Sequence, residues 1–303
     1  MLSFPDRVQV YEVGPRDGLQ NEATTLPTAV KVEFIDRLAR TGLQYVEASS
    51  FVHPRWIPQL ADAEEVFAAL PRREGVRYGA LVPNMHGLKR AESIGLTAFG
   101  LFVSASELHN QKNLNRSIDE SLGYIAAITD TLKGEDVWIR GYVSMVWGSP
   151  FGDEVSVADV VRVCTKLLDL GIDQISLGDT VGHATPRSVA ERLAILLQEI
   201  PSDRVALHFH DTRGTALANV VAGLDAGIRV FDGAVGGLGG CPYADGASGN
   251  LATEDLVQML HSMGVLTGVD LDDLVECAAF IERKLGKKLP SHWLRASRGP
   301  YRQ

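Results

Sequence analysis

The stretch RVALHFHDT, residues 204–212, ends an apolar run with two histidines two positions apart. Its composition predicts a β-strand, in which residues i and i+2 project to the same face, so His208 and His210 are expected to point the same way. Two adjacent imidazoles suit a divalent cation, and Asp211 and Asn250 are oxygen donors that could complete its shell. Two ordinary histidines of a strand would produce the same short pattern.

A glycine-rich segment, GGLGGCPYADGASGNLATED, follows at residues 236–255. High glycine density supplies no core and is typical of a loop that approaches a ligand closely, although a flexible surface loop is the alternative. Thr253, followed by two acidic residues, predicts the start of a helix. Cys241 lies inside the segment without a neighbouring histidine, which favours proton transfer over a nucleophilic role.

Around this segment, apolar runs alternate with amphipathic stretches along nearly the whole chain. The predicted strands span residues 8–13, 44–48, 78–82, 98–103, 137–144, 174–177, 204–209 and 229–232. The predicted helices span residues 27–40, 87–94, 118–132, 156–170, 186–199, 214–226, 253–263 and 271–285. Eight strands with intervening helices predict a (β/α)8 TIM barrel, an α/β fold. A doubly wound sheet is the alternative, but no GxGxxG motif follows an early strand. We expect one domain over residues 1–303, with appended C-terminal helices from about residue 253.

The composition excludes several classes of protein. The chain has 303 residues and a formal net charge of -9, which argues against nucleic acid as the main partner. No apolar stretch approaches the length of a membrane span, and a strand predicted near the amino terminus leaves no room for a leader, so a cytoplasmic enzyme is expected. Three cysteines without a CxxC pair argue against a disulfide framework or structural zinc.

Unusual polar residues follow the ends of the predicted strands. Arg16 and Asp17 follow the first strand, Glu47 lies in the second and Asp179 follows the sixth. Because the active sites of TIM barrels lie at the carboxyl ends of the strands, this distribution predicts one polar site.

A mixed nitrogen and oxygen ligand set can be drawn from Asp17, His208, His210 and Asn250. It would suit Mg²⁺, Mn²⁺, Co²⁺ or Zn²⁺, with the oxygen ligands favouring the harder ions. A cation beside Arg16 could offset the charge of an enolate. These groups together suggest making or breaking a carbon–carbon bond next to a carbonyl.

Seven segments carry a resemblance to a known family. They are VGPRDGLQNE (13–22), EASSFV (47–52), ASELHNQKN (105–113), RGYVS (140–144), SLGDTVG (176–182), HFHDT (208–212) and the glycine-rich segment. In this order they resemble 3-hydroxy-3-methylglutaryl-CoA lyases. The family belongs to a wider group of metal-dependent TIM barrels that includes isopropylmalate and homocitrate synthases, and the cysteine-containing loop is its lyase-like feature.

The resemblance implies cleavage of 3-hydroxy-3-methylglutaryl-CoA to acetyl-CoA and acetoacetate, a step of leucine degradation. It implies that Asp17, His208, His210 and Asn250 bind a divalent metal, Mg²⁺ or Mn²⁺. Further roles are implied for other positions. Arg16 would bind substrate and stabilise the enolate, Cys241 would protonate it, and Asp179 and His208 would handle the hydroxyl proton. Glu47 is counted with these catalytic residues and would support the site from behind the ligands, Gln20 would bind substrate and position its neighbours, and Glu254 would support the site.

Four positions depart from the family pattern: His53, Arg213, Met145 and Trp147. They bear on acyl-group specificity more than on reaction type. The alternative is a related lyase or synthase acting on another 3-hydroxyacyl-CoA or 2-oxo acid, and a catalytically silent scaffold is a third hypothesis. An acyl-CoA substrate and a homodimer or higher homo-oligomer are expected, with no nucleic-acid or membrane partner.

Overall fold

The structure is a computed structural model that describes residues 4–241 and 244–298, with only the backbone described for residues 241 and 244–248. Eight parallel strands pair in sequence order and close into a barrel, since β8 pairs with β1. They are β1 (Gln9–Glu12), β2 (Tyr45–Ser50), β3 (Arg77–Leu81), β4 (Ala98–Ser104), β5 (Trp138–Ser144), β6 (Gln174–Asp179), β7 (Val205–Phe209) and β8 (Val230–Gly233). The predicted TIM barrel is confirmed, and the closed sheet excludes the doubly wound alternative.

Helices lie between and after the strands. They are α1 (Thr28–Arg40), α2 (Ala63–Ala69), α3 (Met85–Ser93), α4 (Glu107–Leu114), α5 (Ile118–Thr131), α6 (Val157–Asp169), α7 (Pro186–Glu199), α8 (Ala216–Asp225), α9 (Thr253–Ser262), α10 (Leu271–Leu285) and α11 (His292–Ser297). The predicted elements end within one or two residues of the observed ones. The predictions did not include α2, α4 or α11. These helices are short, and α4 carries mostly polar residues, so no apolar stripe marks it.

The C-terminal helices pack on the first and last elements of the barrel. Helix α9 contacts α8, β1 and β8, which is the position of the barrel's eighth helix. Helix α10 contacts α1 and α9, and α11 contacts α9 and α10. We infer that the segment added to the barrel begins at α10 rather than near residue 253. Within the described residues, no helix is both long and apolar enough to cross a membrane.

A buried ion pair lies inside the barrel, below the carboxyl ends of its strands. The side chains of Arg140 on β5 and Asp232 on β8 are both fully buried, and Arg140 Nη2 lies 2.7 Å from Asp232 Oδ1. Arg140 Nε also donates to Gln174 at 3.0 Å, and its guanidinium lies over the rings of Tyr11 and Tyr142. The charge therefore has polar partners and aromatic faces in place of water.

Arg140→Met is expected to lower the free energy of unfolding by about 3–5 kcal/mol, because it leaves the Asp232 carboxylate buried without its main counter-charge. Arg162→Met is the matched control: its bond to Asp119 joins two largely exposed side chains and is worth at most about 1 kcal/mol. Urea unfolding of both variants measures the difference. Equal losses in the two variants would contradict this account of the barrel interior.

Candidate active site

The loop after β1 begins with a tight turn. Residues Gly14–Gly18 form one π-helical turn, in which the amides of Arg16, Asp17 and Gly18 all donate to the Val13 carbonyl. Such turns are rare and occur often at functional sites. A Cβ on Gly18 would lie 2.7 Å from Leu238 Cβ, so glycine permits close contact with the loop after β8. The turn thus holds Arg16 and Asp17 beside the glycine-rich segment.

The glycine-rich segment returns along the end of β7. The Leu251 amide donates to the Phe209 carbonyl at 3.0 Å and the Asp211 amide donates to the Gly249 carbonyl at 2.8 Å. His210 and Asn250 consequently pair as an isolated antiparallel bridge. This pairing places Asn250 next to a histidine that lies 40 positions earlier in the chain.

Three predicted ligands come together at this point. Each of Asp17, His208 and His210 offers one ligand atom, and these atoms all lie within 4.8 Å of one another. The two imidazole rings, 5.2 Å apart between centroids, lie together as their spacing predicted. Asn250 Nδ2 donates to Asp17 Oδ2 at 2.8 Å, which joins the fourth predicted ligand to the group.

The polar atoms of this group fit a divalent cation. Asn250 Oδ1 and both ring nitrogens of His210 are buried and have no hydrogen-bond partner among the described residues. Burial and the neighbouring His208 lower the pKa of His210 to about 3, so its ring is neutral. Burial alone would raise the pKa of Asp17, but the charge of Arg16, the neighbouring His208 and the hydrogen bond from Asn250 lower it to about 2. An anionic carboxylate, a neutral imidazole and a free amide oxygen are suitable metal ligands.

Asp211 was the other oxygen donor considered near the histidines, but its carboxylate lies outside the ligand group. Its Oδ1 accepts a hydrogen bond from the Ala216 amide at 2.9 Å, at the first residue of α8. Unpaired amides at a helix start favour a carboxylate. Asp211 therefore stabilises the start of α8, and Asn250 lies in the group instead.

Arg16 is held between two carboxylates. Its Nε donates to Glu47 Oε2 at 2.6 Å, and its Nη1 lies 2.6 Å from Asp17 Oδ1. Burial opposes the guanidinium charge, but Glu47 and Asp17 outweigh it and raise the pKa of Arg16 above its usual value. Glu47 also accepts from the Tyr142 hydroxyl at 2.9 Å. Glu47 thus contacts Arg16 rather than the ligand group, and its role in the reaction stays a prediction.

Asp232 is a functional candidate that the sequence predictions did not include. Its Oδ2 lies 3.3 Å from His208 Nδ1, within ion-pair distance but without hydrogen-bond geometry, and accepts from the Ser176 hydroxyl at 3.0 Å. A carboxylate beside one ring nitrogen favours one orientation of an imidazole and leaves the other nitrogen for a ligand. Because Asp232 ends the predicted eighth strand, the strand-end rule that selected Asp17 and Asp179 could have selected it too.

Asp179 is buried at the end of β6. Its two carboxylate oxygens accept from the amides of His183 and Ala184 at 2.8 and 2.9 Å. Burial raises the pKa of Asp179 to about 6, even though those amides and His208 act in the opposite direction. Gln20 was predicted to bind substrate. Its Nε2 donates a hydrogen bond to Asp17 Oδ1 at 2.9 Å. Both predicted residues thus lie beside the ligand group.

Two buried glutamates support the loops around the site. The Glu254 carboxylate accepts from the Gly236 amide at 2.9 and 3.0 Å. Glu12, which was not among the predicted site residues, accepts from the amides of Gly14 and Val235 and from the Thr253 hydroxyl. These contacts tie the β1 loop, the β8 loop and the start of α9 together.

Glu254→Gln is expected to stabilise the protein more at pH 7.5 than at pH 5.5. Burial raises the pKa of Glu254 to about 8, from about 4.5 for a glutamate in water. Between these values the folded protein keeps a proton that the unfolded chain has lost, so the free energy of unfolding of the native protein falls as pH rises. Glutamine mimics the protonated form, and the gain should grow by about 2 kcal/mol between the two pH values.

Urea unfolding at both pH values measures this gain. Glu276→Gln, at an exposed position on α10, is the matched control for the substitution itself. A pH-independent difference for Glu254→Gln would show that this carboxyl group is ionised in the folded protein.

Cys241, the predicted proton donor, has its side chain outside the described residues. The backbone of β9 (Gly240–Cys241) pairs antiparallel with β10 (Ala244–Ser248). The other two cysteines, Cys164 and Cys277, are free and buried, and burial raises the pKa of each to about 12. Their thiols are therefore protonated and inert at neutral pH.

The chain is similar to known proteins over nearly its whole length. The hydroxymethylglutaryl-CoA lyase of Bacillus subtilis is 49% identical over 290 residues, which cover 96% of this chain and 97% of the relative. A crystal structure of the Bacillus subtilis HMG-CoA lyase matches with a TM-score of 0.97 at 48% identity, covering 98% of this chain and all of the other. An HMG-CoA lyase from Acinetobacter baumannii, in complex with coenzyme A and 3-methylmalate, matches with a TM-score of 0.94 at 40% identity, covering 100% and 99% of the two chains. The HMGL-like family model matches residues 7–281, and the chain belongs to this family, which includes the hydroxymethylglutaryl-CoA lyases.

Proposed function

We propose that this protein cleaves 3-hydroxy-3-methylglutaryl-CoA to acetyl-CoA and acetoacetate. The observation that carries the proposal is the group Asp17, His208, His210 and Asn250 beside Arg16 at the carboxyl end of the barrel, in a chain so similar to hydroxymethylglutaryl-CoA lyases. The reaction is a retro-Claisen cleavage, which breaks the bond between the hydroxyl-bearing carbon and the carbon next to the thioester.

The four residues of this group would hold a divalent cation, and we propose Mg²⁺ or Mn²⁺. A cation bound there would polarise the hydroxyl oxygen of the substrate and help to place it. Asp232 would keep the His208 ring oriented through its Nδ1. Gln20 would hold the Asp17 carboxylate in position from the other side.

Proton transfer at the hydroxyl group is assigned to Asp179 and His208. The pKa of Asp179, raised by burial to about 6, lies near the pH at which a general base is most effective. Removal of the hydroxyl proton lets the oxygen form the ketone of acetoacetate as the carbon–carbon bond breaks. The bonding electrons then reside on the acetyl-CoA enolate.

Arg16 is the residue proposed to bind the thioester oxygen and stabilise the enolate. Glu47 and Asp17 fix its planar guanidinium, so no reorganisation is needed as negative charge develops. Cys241 would then protonate the enolate carbon to complete acetyl-CoA. Glu254 would act indirectly, by holding the backbone at the start of the glycine-rich segment.

A coupled assay for acetoacetate tests the proposal. The protein is stripped with a chelator and assayed with 3-hydroxy-3-methylglutaryl-CoA, before and after Mg²⁺ or Mn²⁺ is restored. We expect acetoacetate only when metal is restored. No product under either condition would reject the reaction and favour the alternative, a lyase or synthase acting on another 3-hydroxyacyl-CoA or 2-oxo acid. Equal activity with and without metal would show that the reaction does not require a divalent cation.

Three further predictions concern the protein in the cell. They are a cytoplasmic location, a place in leucine degradation and assembly as a homodimer or higher homo-oligomer. Light scattering on the purified protein measures the last of these directly, and a monomeric mass would exclude it.

A further inference from the structure

Arg213 lies on the rim of the barrel beside the candidate site. It is three residues after His210, in the loop between β7 and α8, and its side chain is exposed. Its Nη1 donates to the Gly182 carbonyl at 3.4 Å, which belongs to the loop between β6 and α7. The guanidinium therefore spans two neighbouring loops at the end of the barrel where Asp179 lies.

The charge of Arg213 acts on the groups around that rim. It helps to lower the pKa of the buried Asp179, against the larger effect of burial. It also adds to the effect of burial in lowering the pKa of His183. Arg213 is thus close enough to the end of β6 to influence the charge of groups there.

Within the described ranges, Arg213 forms no ion pair with a carboxylate. Ion pairs join Arg16 to Glu47 and Asp17, and Arg140 to Asp232, whereas none includes Arg213. Arg16 already pairs with two carboxylates and is assigned to the thioester oxygen, so another cation is needed for the remaining anionic groups of the substrate. Arg213 keeps most of its five donors available for a ligand.

The proposed substrate is strongly anionic. 3-Hydroxy-3-methylglutaryl-CoA carries a terminal acyl carboxylate and the phosphates of coenzyme A, whereas the chain has a formal net charge of -9. Bringing such a substrate to this protein requires local positive charge at the barrel mouth. A planar guanidinium with available donors is well suited to carboxylate and phosphate oxygens.

We propose that Arg213 binds an anionic group of the substrate, a carboxylate or phosphate, at the rim of the active site. This inference rests on the proposed function and extends it to a residue that determines affinity for the acyl-CoA. Arg213 acts in binding and takes no part in the bond-breaking step.

Arg213→Gln is expected to raise the KM for 3-hydroxy-3-methylglutaryl-CoA by about 10-fold and to leave kcat within about twofold, because an exposed charge-assisted contact is lost. Arg213→Lys keeps the charge without the planar fork and should recover part of the loss. Arg187→Gln is the matched control, since Arg187 is also exposed and lies one residue into α7 near the same rim. It should leave both constants unchanged.

A second substrate distinguishes the two anionic groups. The pantetheine thioester of 3-hydroxy-3-methylglutarate keeps the acyl carboxylate but lacks the phosphates of coenzyme A. If Arg213 contacts a phosphate, Arg213→Gln should raise KM for the coenzyme A thioester alone. If it contacts the acyl carboxylate, KM should rise for both thioesters. If the KM values of Arg213→Gln for both substrates lay within twofold of those of Arg187→Gln, the proposal would be overturned.

Calorimetry gives a readout that does not depend on turnover. Coenzyme A and free 3-hydroxy-3-methylglutarate are titrated separately into the native protein and into Arg213→Gln, and one of them should bind the variant about 10-fold more weakly. If the native protein bound a probe but released no acetoacetate, the proposed function would fail and this binding comparison alone would decide the role of Arg213. Equal affinities for native protein and variant, or no binding of either probe to the native protein, would overturn it.

Discussion

Replacing His210 with alanine is expected to lower the affinity for Mn²⁺ by at least about 100-fold and to abolish metal-dependent turnover. Loss of a supporting residue alone typically costs about 10- to 100-fold in metal affinity, and loss of a ligand should cost more. His210 is buried, and both its ring nitrogens lack hydrogen-bond partners among the described residues. Equilibrium dialysis against Mn²⁺, followed by metal analysis, measures the change.

His86→Ala is the control for this experiment. His86 is exposed on α3 and is not part of the ligand group, so its removal should leave the affinity for Mn²⁺ unchanged. Circular dichroism of His210→Ala would verify that the barrel remains folded. One equivalent of tightly bound Mn²⁺ in folded His210→Ala would remove His210 from the ligand set.

Arg16→Lys is expected to lower kcat by about 100- to 1000-fold and to change Mn²⁺ affinity only slightly. Loss of one preorganised donor to a developing oxyanion typically costs about that factor. Lysine keeps the positive charge but has no planar fork, so it cannot reach Glu47, Asp17 and the substrate in one fixed geometry. Steady-state kinetics with saturating metal, together with Mn²⁺ dialysis, separates the two effects.

Arg187→Lys, on the exposed face of α7, is the matched control and should retain full kcat. A folded Arg16→Lys with native kcat would show that Arg16 has no role in stabilising the enolate. An equal loss of kcat and metal affinity would indicate instead that Arg16 acts only by placing Asp17.

Part of the ligand group could be predicted because it depends on local geometry. The two-residue spacing of His208 and His210 places both on one face of a strand wherever that strand lies. Asp17 follows the first strand, and the carboxyl ends of all eight strands meet on one side of a TIM barrel. The metal-binding role of these residues stays a prediction until His210→Ala is measured.

The choice between Asp211 and Asn250 could not be made from the sequence. Asp211 is adjacent to His210 in the chain, yet its carboxylate faces the start of α8. Asn250 is far away in sequence and reaches the group through the antiparallel pairing beside Phe209. Loop direction, rather than proximity along the chain, decides which oxygen donor arrives.

The sequence predictions missed the partners of buried charged residues for a related reason. Arg140 and Asp232 lie 92 positions apart, and Glu12 and Thr253 lie 241 positions apart. Each is an ordinary polar residue in or near a strand, and its partner can be identified only after the barrel has closed. The contact between His208 and Asp232 could therefore be identified only in the folded structure.

The sequence alone determined the eight strands, the longer helices and the side of the barrel on which the polar residues gather. These features follow from periodicity and from the fixed polarity of parallel strands, which are properties of local sequence. Only the tertiary structure decided which carboxylates hold Arg16, which one orients His208 and which amide joins Asp17. Those pairings depend on distances between loops remote in sequence, and such distances are set by closure of the barrel.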